Sequence, residues 1–157
     1  MKKEYEEKLK LVTKYLAGDD SLSAEDNRKL FWQGHKIMEE LVLTKDKEVL
    51  GGLFDLFTQD NENGVCETLE NEIYRNFDFG QIISVLYKKF DSLIASNVDR
   101  AVYFSESILS AKLFEDFRKM FNAVKAKKSS EFLDRFHRCY PEFEENISIL
   151  RKDMAKW

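Results

Sequence analysis

The sequence has little of what turns, strands and disulfide frameworks require. Its 157 residues include one proline, six glycines and two cysteines. Strand-rich folds need more turn-forming residues than this, so the composition favours helices. A chain of this length buries about 70% of the surface that its unfolded form exposes, so it needs neither disulfides nor a metal to fold. Cys66 and Cys139 form no CxxC pair, which is typical of a reduced protein with buried thiols.

Long apolar segments are also missing. No stretch approaches the roughly 18 apolar residues of a membrane-spanning helix. The opening residues, MKKEYEEKLKLV, mix Lys with Glu and lack the apolar core of a secretion signal. We therefore expect a cytoplasmic protein without membrane contact, folded as a single helical domain over residues 1–157.

Signatures of catalysis are absent as well. The sequence has no GxGxxG, GxxxxGKS/T, HExxH or GxSxG motif, and its only histidines are His35 and His137. His35 lies among apolar and aromatic residues, which indicates a structural role. Asp134 and His137 have the i, i+3 spacing of some helical metal sites, but no second pair accompanies them. We expect no enzymatic activity and no cofactor.

One segment partly matches a calcium-binding loop. Gly64 and Glu70 occupy the positions of the glycine at position 6 and the glutamate at position 12 of such a loop. The first position should be Asp and is Gln59, so one carboxylate ligand is missing. A polar turn between two helices explains the same residues, and we expect no metal site.

Apolar residues recur at helical spacing along almost the whole chain, and the thirteen Phe at this spacing are predicted to form the core. The pattern predicts an all-α fold of about nine helices with short connections. Short connections make neighbouring helices antiparallel, which gives stacked helical hairpins, either as an irregular HEAT-like α-solenoid or as a compact multi-helix bundle. The predicted helices cover approximately residues 3–17, 24–43, 45–57, 65–77, 79–95, 98–109, 111–126, 129–140 and 141–157. Ser23 and Asn97 are the predicted N-caps of the second and sixth helices, and Pro141 is expected in the first turn of the last helix.

Charge is distributed unevenly. Residues 18–80 hold 15 Asp and Glu against 6 Lys and Arg, a net of −9, whereas the rest of the chain has a net of +5. An acidic surface can dock a basic protein, because complementary charge speeds association and selects the partner. It also repels phosphate backbones, which argues against nucleic-acid binding there. A solvated helix face is the alternative. The candidate partner-binding residues are Asp55, Asp60, Glu62, Glu67, Glu70, Glu72 and Asp78.

A short basic run stands apart from this acidic region. It comprises Lys125, Lys127 and Lys128, and no aromatic residue is interleaved with them. Stacking aromatics are typical of nucleic-acid surfaces. The run is therefore interpreted as a solvated helix end.

The acidic region also carries a family resemblance. Its motifs are VLGGLFDLF at 49–57, the acidic turn at 60–64, LENEI at 69–73 and Phe77-Asp78, with a weaker match at 107–110. These motifs resemble the immunity protein 30 family, small helical proteins that neutralise toxins of bacterial competition systems, including contact-dependent inhibition. The resemblance covers less than half of the chain.

The resemblance implies a cytoplasmic inhibitor that binds one cognate toxin domain, often a nuclease, and blocks its active site. We expect a monomer that forms a 1:1 complex with this basic protein. The acidic surface agrees with that role, because a nuclease must be basic where it meets nucleic acid. The alternative is a helical adaptor or regulator that binds another basic protein partner.

Overall fold

The computed structural model describes residues 2–57 and 65–157, with the side chains of residues 65–67 excepted. Within these ranges the chain forms nine α-helices, one short 3₁₀ turn and no strand, so the prediction of an all-α fold is confirmed. The chain divides into two compact units, Met1–Asp78 and Phe79–Trp157. The expectation of a single domain, and the choice between solenoid and bundle, stay predictions.

The first unit begins with an antiparallel helical hairpin. Lys8 Nζ lies 3.2 Å from Glu40 Oε2 at one end of this hairpin, and a Cβ on Gly34 would lie 3.2 Å from the Cβ of Tyr15 at the other. The first two helices therefore run in opposite directions. The helices of this unit are α1 (Lys3–Ala17), α2 (Ala24–Leu43), α3 (Lys47–Leu56) and α4 (Val65–Asn76).

Side-chain caps define where two of these helices begin. Ser23 Oγ accepts a hydrogen bond from the Asp26 backbone at 3.1 Å, which confirms the predicted N-cap of α2. Asp46 Oδ1 accepts one from Glu48 at 2.8 Å and caps α3. α3 begins at Lys47 rather than at residue 45, because Lys45 has a left-handed φ of 52° and cannot belong to a right-handed helix.

The second unit contains five helices and the 3₁₀ turn. Asn97 caps its second helix as predicted, since Asn97 Oδ1 accepts a hydrogen bond from the Arg100 backbone at 3.1 Å. Pro141 was expected in the first turn of the last helix; it instead begins the 3₁₀ turn, and α9 starts at Glu144. The elements are α5 (Phe79–Ser96), α6 (Val98–Ser110), α7 (Phe114–Val124), α8 (Ser129–Cys139), the turn Pro141–Phe143 and α9 (Glu144–Met154).

The connection between α6 and α7 is longer than the sequence predicted. Lys112 has a φ of 62°, and its N–H donates to Leu109 O at 2.8 Å while Leu113 N donates to Ile108 O at 3.1 Å. These paired bonds are the Schellman motif, which ends a helix with a left-handed residue. The predicted helix 111–126 therefore begins only at Phe114.

Aromatic rings fill the core of the second unit. The Phe90 ring lies 5.8 Å from that of Phe117 and 5.2 Å from that of Phe132, and Phe121 and Phe136 continue the cluster. These five side chains are almost completely buried, which confirms their predicted core role. Burial of each such side chain contributes about 1.5–3 kcal/mol, so this cluster accounts for much of the unit's stability.

The expectation of buried thiols is wrong for Cys139. Its side chain is exposed and forms no disulfide. The buried stripe of α8, which includes Phe132 and Leu133, ends at Phe136. Cys139 is the last residue of the helix and lies beyond that stripe, which leaves its side chain at the surface.

Candidate functional site

Asp55 lies on the solvent side of α3. Its neighbours Phe54 and Leu56 are buried, as is Leu53 one residue earlier, whereas Asp55 is exposed. The apolar residues of α3 turn towards the interior of the unit, and Asp55 is left facing outward. Of the candidate partner-binding residues on described helices, it is the most directly accessible.

Glu70 and Glu72 do not occupy the outermost line of α4. Among the described side chains of this helix, Thr68, Asn71 and Arg75 are exposed, and they follow the i, i+3, i+7 spacing of one helix face. Glu70 and Glu72 are half-buried on either side of this line. Among the described side chains, the most exposed line of α4 is therefore polar, with one cation, Arg75, in its last turn.

Glu72 is engaged within its own helix. Arg75 Nη1 donates to Glu72 Oε1 at 2.9 Å, and Asn76 Nδ2 lies 3.4 Å from Glu72 Oε2. The Glu72 side chain retains 22% of its accessible surface. A partner that used this carboxylate would compete with Arg75, and Glu72 is less exposed than Asp55.

The remaining candidates are distributed around these two helices. Asp60 and Glu62 lie outside the described residues, as does the predicted turn 59–64 that resembles a calcium loop. The backbone of Glu67 belongs to α4, but its side chain lies outside the described part. Asp78 is exposed at the end of the first unit, directly before α5.

A cleft between α1 and α3 brings Asp55 together with residues that sequence reasoning missed. The cleft has a volume of about 280 Å³, and Glu6, Lys10 and Thr13 line its α1 side. Its apolar lining comes from α1 and α3, through Leu9, Gly52 and Leu56. Glu6 lies outside the 18–80 segment in which acid is concentrated, and only the packing of α1 on α3 places it beside Asp55.

Gly52 permits this close approach of α1 and α3. A Cβ added at Gly52 would overlap Leu9 Cδ1 and would lie only 3.4 Å from Leu9 Cδ2. The adjacent Gly51 has nothing within 4 Å of the same virtual atom. The two neighbouring glycines therefore differ in role, because only Gly52 faces the helix that forms the other side of the cleft.

The two units carry opposite net charge. The first unit contains 18 Asp and Glu against 11 Lys and Arg, a net of −7, whereas the second contains 11 against 14, a net of +3. In the α1–α2 connection, hydrogen bonds from Ser21 hold the pKa of Asp19 below its ordinary value. The acidic character predicted for residues 18–80 thus belongs to one compact unit, which Asp55 and Glu6 share.

Two sequence features are explained by packing. His35 is buried and its ring lies 4.6 Å from that of Phe31; burial lowers the pKa of His35. Asp134 Oδ1 accepts a hydrogen bond from Arg151 Nη2 at 2.8 Å, so this carboxylate is already engaged by a cation. In the described part of the chain, no group of three or more His, Cys, Asp or Glu side chains could hold a metal ion.

Chemically, the α1–α3 cleft combines an apolar lining with carboxylates on two helices, an arrangement that suits a long cationic side chain. Among the described helices, none is both long enough and apolar enough to cross a membrane. Comparisons with protein-family models, with curated proteins and with solved structures found no match for this chain.

Proposed function

We propose that this chain is an immunity protein that binds and neutralises a cognate toxin domain of a bacterial competition system. The partner is a basic protein, and the acidic first unit forms the contact. The observation that carries the proposal is the net charge of −7 on one compact unit, with Asp55 and Glu6 on facing sides of an open cleft. The motifs at residues 49–78, which resemble the immunity protein 30 family, support the choice of partner class.

The physical basis is electrostatic complementarity. A nuclease toxin carries positive charge where it binds nucleic acid, because it must neutralise phosphates. An acidic inhibitor is attracted to that same surface and associates faster than a neutral one, by about 10- to 1,000-fold at low ionic strength. Occupation of the nucleic-acid surface then excludes the substrate, so inhibition requires no chemistry by the immunity protein.

The α1–α3 cleft offers a place for one side chain of the toxin. Arg and Lys have an apolar stem and a charged end. The stem suits the lining formed by Leu9 and Leu56, and the charged end suits the carboxylates of Glu6 and Asp55. Lys10 lies in the same cleft and offsets part of this negative charge. Binding strength is therefore expected from several acids of the unit together.

A helical adaptor or regulator for another protein is the second candidate. It is favoured by Trp32 on α2, which is 64% exposed. Tryptophan is among the residues that contribute most at protein interfaces. The exposed Trp32 therefore offers a contact surface that does not depend on acidic charge.

The test begins with co-purification from the native host and expression of the recovered partner domain. Co-expression with this chain should restore growth if the partner is a toxin. The association rate of the purified domain is then measured with the variant Asp55→Lys. Glu39→Lys is the matched control, because it changes the net charge by the same amount at an exposed position of α2. We expect Asp55→Lys to slow association by about tenfold at low salt, with the difference shrinking as salt screens the field.

The outcomes separate the two candidates. A co-purified partner that does not affect growth supports the adaptor and contradicts the immunity function. If the partner is a toxin that binds Asp55→Lys and Glu39→Lys equally well, the immunity function stands, but the contact site is not the α1–α3 cleft. Exposed charge substitutions shift stability by less than about 0.5 kcal/mol, so circular dichroism should report an unchanged fold for both variants.

A further inference from the structure

A second cleft, independent of the acidic region, lies in the second unit. It has a volume of about 490 Å³ and is formed by α7 together with residues in and after the end of α9. A cleft of this size is in the usual range for small-molecule sites. The cleft is lined by the cationic residues Arg118, Lys119, Lys125 and Lys156, the acidic residues Glu115 and Asp153, and Asn122 and Trp157.

Trp157 forms a fixed aromatic wall of this cleft. Its ring packs against the buried Phe121, with 5.2 Å between the ring centroids. Its Nε1 donates a hydrogen bond to Asn122 Oδ1 at 3.0 Å. The side chain is nevertheless 39% exposed, so part of the indole remains open to the cleft. An aromatic ring held by two contacts is a ready platform for stacking, because little side-chain entropy is lost when a ligand binds.

The buried acid of the cleft is already matched by protein groups. Asp153 accepts hydrogen bonds from Arg118 Nε at 2.6 Å, from Arg118 Nη2 at 3.1 Å and from Asn122 Nδ2 at 2.9 Å. These contacts hold the pKa of Asp153 well below its ordinary value. The carboxylate is therefore neutralised by Arg118, and the pair serves as a structural clasp between α7 and α9.

The lysines of the cleft form no comparably short ion pairs. Lys125 has no ion-pair partner within the described ranges, and Lys156 Nζ lies 3.6 Å from Asp153, whose oxygens already accept bonds from Arg118. Lys119 Nζ lies 3.7 Å from the exposed Asp116. Four cationic and two acidic residues give the side chains of the lining a net charge of +2. The cleft thus combines spare positive charge with an open aromatic ring.

We infer that this cleft binds a free nucleotide, with the base stacked against Trp157 and the phosphates held by Lys125 and Lys156. Base–aromatic stacking tolerates every base, because each base has a π-face. Lysine ammonium groups bind phosphate as point charges and need no bidentate geometry. The observation that distinguishes this cleft from an ordinary basic surface is the fixed indole beside the lysines.

The binding test uses Trp157 as its own reporter. The chain has two tryptophans, so Trp32→Phe leaves Trp157 as the only indole. Titration of this variant with ATP and with AMP should quench the Trp157 fluorescence in a saturable way, and inorganic pyrophosphate should reverse the quenching by ATP. ATP should bind more tightly than AMP, because it carries more phosphate charge.

Lysine variants locate the binding charge. Lys125→Gln and Lys156→Gln in the Trp32→Phe background should each weaken ATP binding by about two- to fivefold, as exposed ion pairs do. Lys127→Gln is the matched control, since Lys127 belongs to the same basic run but does not line the cleft. Circular dichroism of each variant checks that the second unit remains folded.

Four results would overturn the inference. These are no saturable quenching by millimolar ATP, equal effects of Lys127→Gln and Lys125→Gln, equal binding of adenosine and ATP, or much tighter binding of a single-stranded oligonucleotide than of any free nucleotide. The last would identify a nucleic-acid surface in place of a nucleotide site. None of them bears on the toxin partner, which is assigned to the first unit.

Discussion

The adjacent glycines of α3 provide a sharp test of how α1 and α3 pack. Gly51 and Gly52 share the same helix and the same helix-propensity cost, so either replacement by Ala gains about 0.8–1.0 kcal/mol from propensity alone. Gly51→Ala adds its methyl to open space and should keep this gain. Gly52→Ala places its methyl on Leu9, which is 8% exposed and already packed.

The net effect at Gly52 follows from two opposing terms. Overpacking at Leu9 costs about 1–3 kcal/mol, because Leu9 must leave its preferred rotamer or the helices must separate. The cost is at the low end of this range if Leu9 Cδ1, the flexible end of the side chain, turns into the adjoining cleft. After the propensity gain is subtracted, Gly52→Ala should be neutral or destabilising by up to about 2 kcal/mol. The two variants should thus differ by about 1–3 kcal/mol, or roughly 2–12 °C in melting temperature.

Urea unfolding of wild type and both variants measures this difference directly. The double variant Leu9→Ala with Gly52→Ala provides the control, because removal of the Leu9 side chain makes room for the new methyl. Its destabilisation should be smaller than the sum of the two single effects by about 0.5–3 kcal/mol. Equal stabilisation by Gly51→Ala and Gly52→Ala would refute the prediction that Leu9 fills the space beside Gly52.

Three further changes should alter stability in a defined direction. Lys112→Gly should raise the free energy of unfolding by about 0.5–1 kcal/mol in urea, because the left-handed position of the Schellman motif suits glycine; a loss would show that the Lys112 side chain matters. Asp153 has a folded pKa below its unfolded value of about 3.9, so its contribution is present above pH 4 and is lost as the pH falls further. Unfolding midpoints at pH 7, 4 and 3 should therefore fall more steeply for wild type than for Asp153→Asn. Burial lowers the pKa of His35 in the folded protein, although the charge of Glu39 acts in the opposite direction. The unfolded chain therefore binds the proton more readily, and the free energy of unfolding should decrease as the pH drops below about 6.5. A wild-type and a His35→Gln protein with identical pH dependence between 7.5 and 5.5 would contradict this assignment.

The sequence by itself determined the all-α class and the approximate course of the helices, because the signals for helices are local. Apolar spacing indicated the helices, and the side chains of Ser23 and Asn97 marked two helix starts that hydrogen bonds confirm. The same spacing assigned the phenylalanines to the core; nine of the thirteen are buried, and Phe31, Phe79, Phe114 and Phe143 are half-buried. Concentration of acid in residues 18–80 was also readable directly, since charge is a property of composition. Left-handed backbone at Lys45 and Lys112 was missed, because lysine is not a residue that favours positive φ.

Only the tertiary structure decided which distant side chains meet. Glu6 joins Asp55 because α1 packs on α3, and the two glycines of α3 differ only in which one faces Leu9. Lys125 was interpreted as a solvated helix end without an aromatic neighbour, yet the fold places Trp157 in the same cleft. Such contacts join residues far apart in the chain and depend on how helices pack, which local periodicity does not specify.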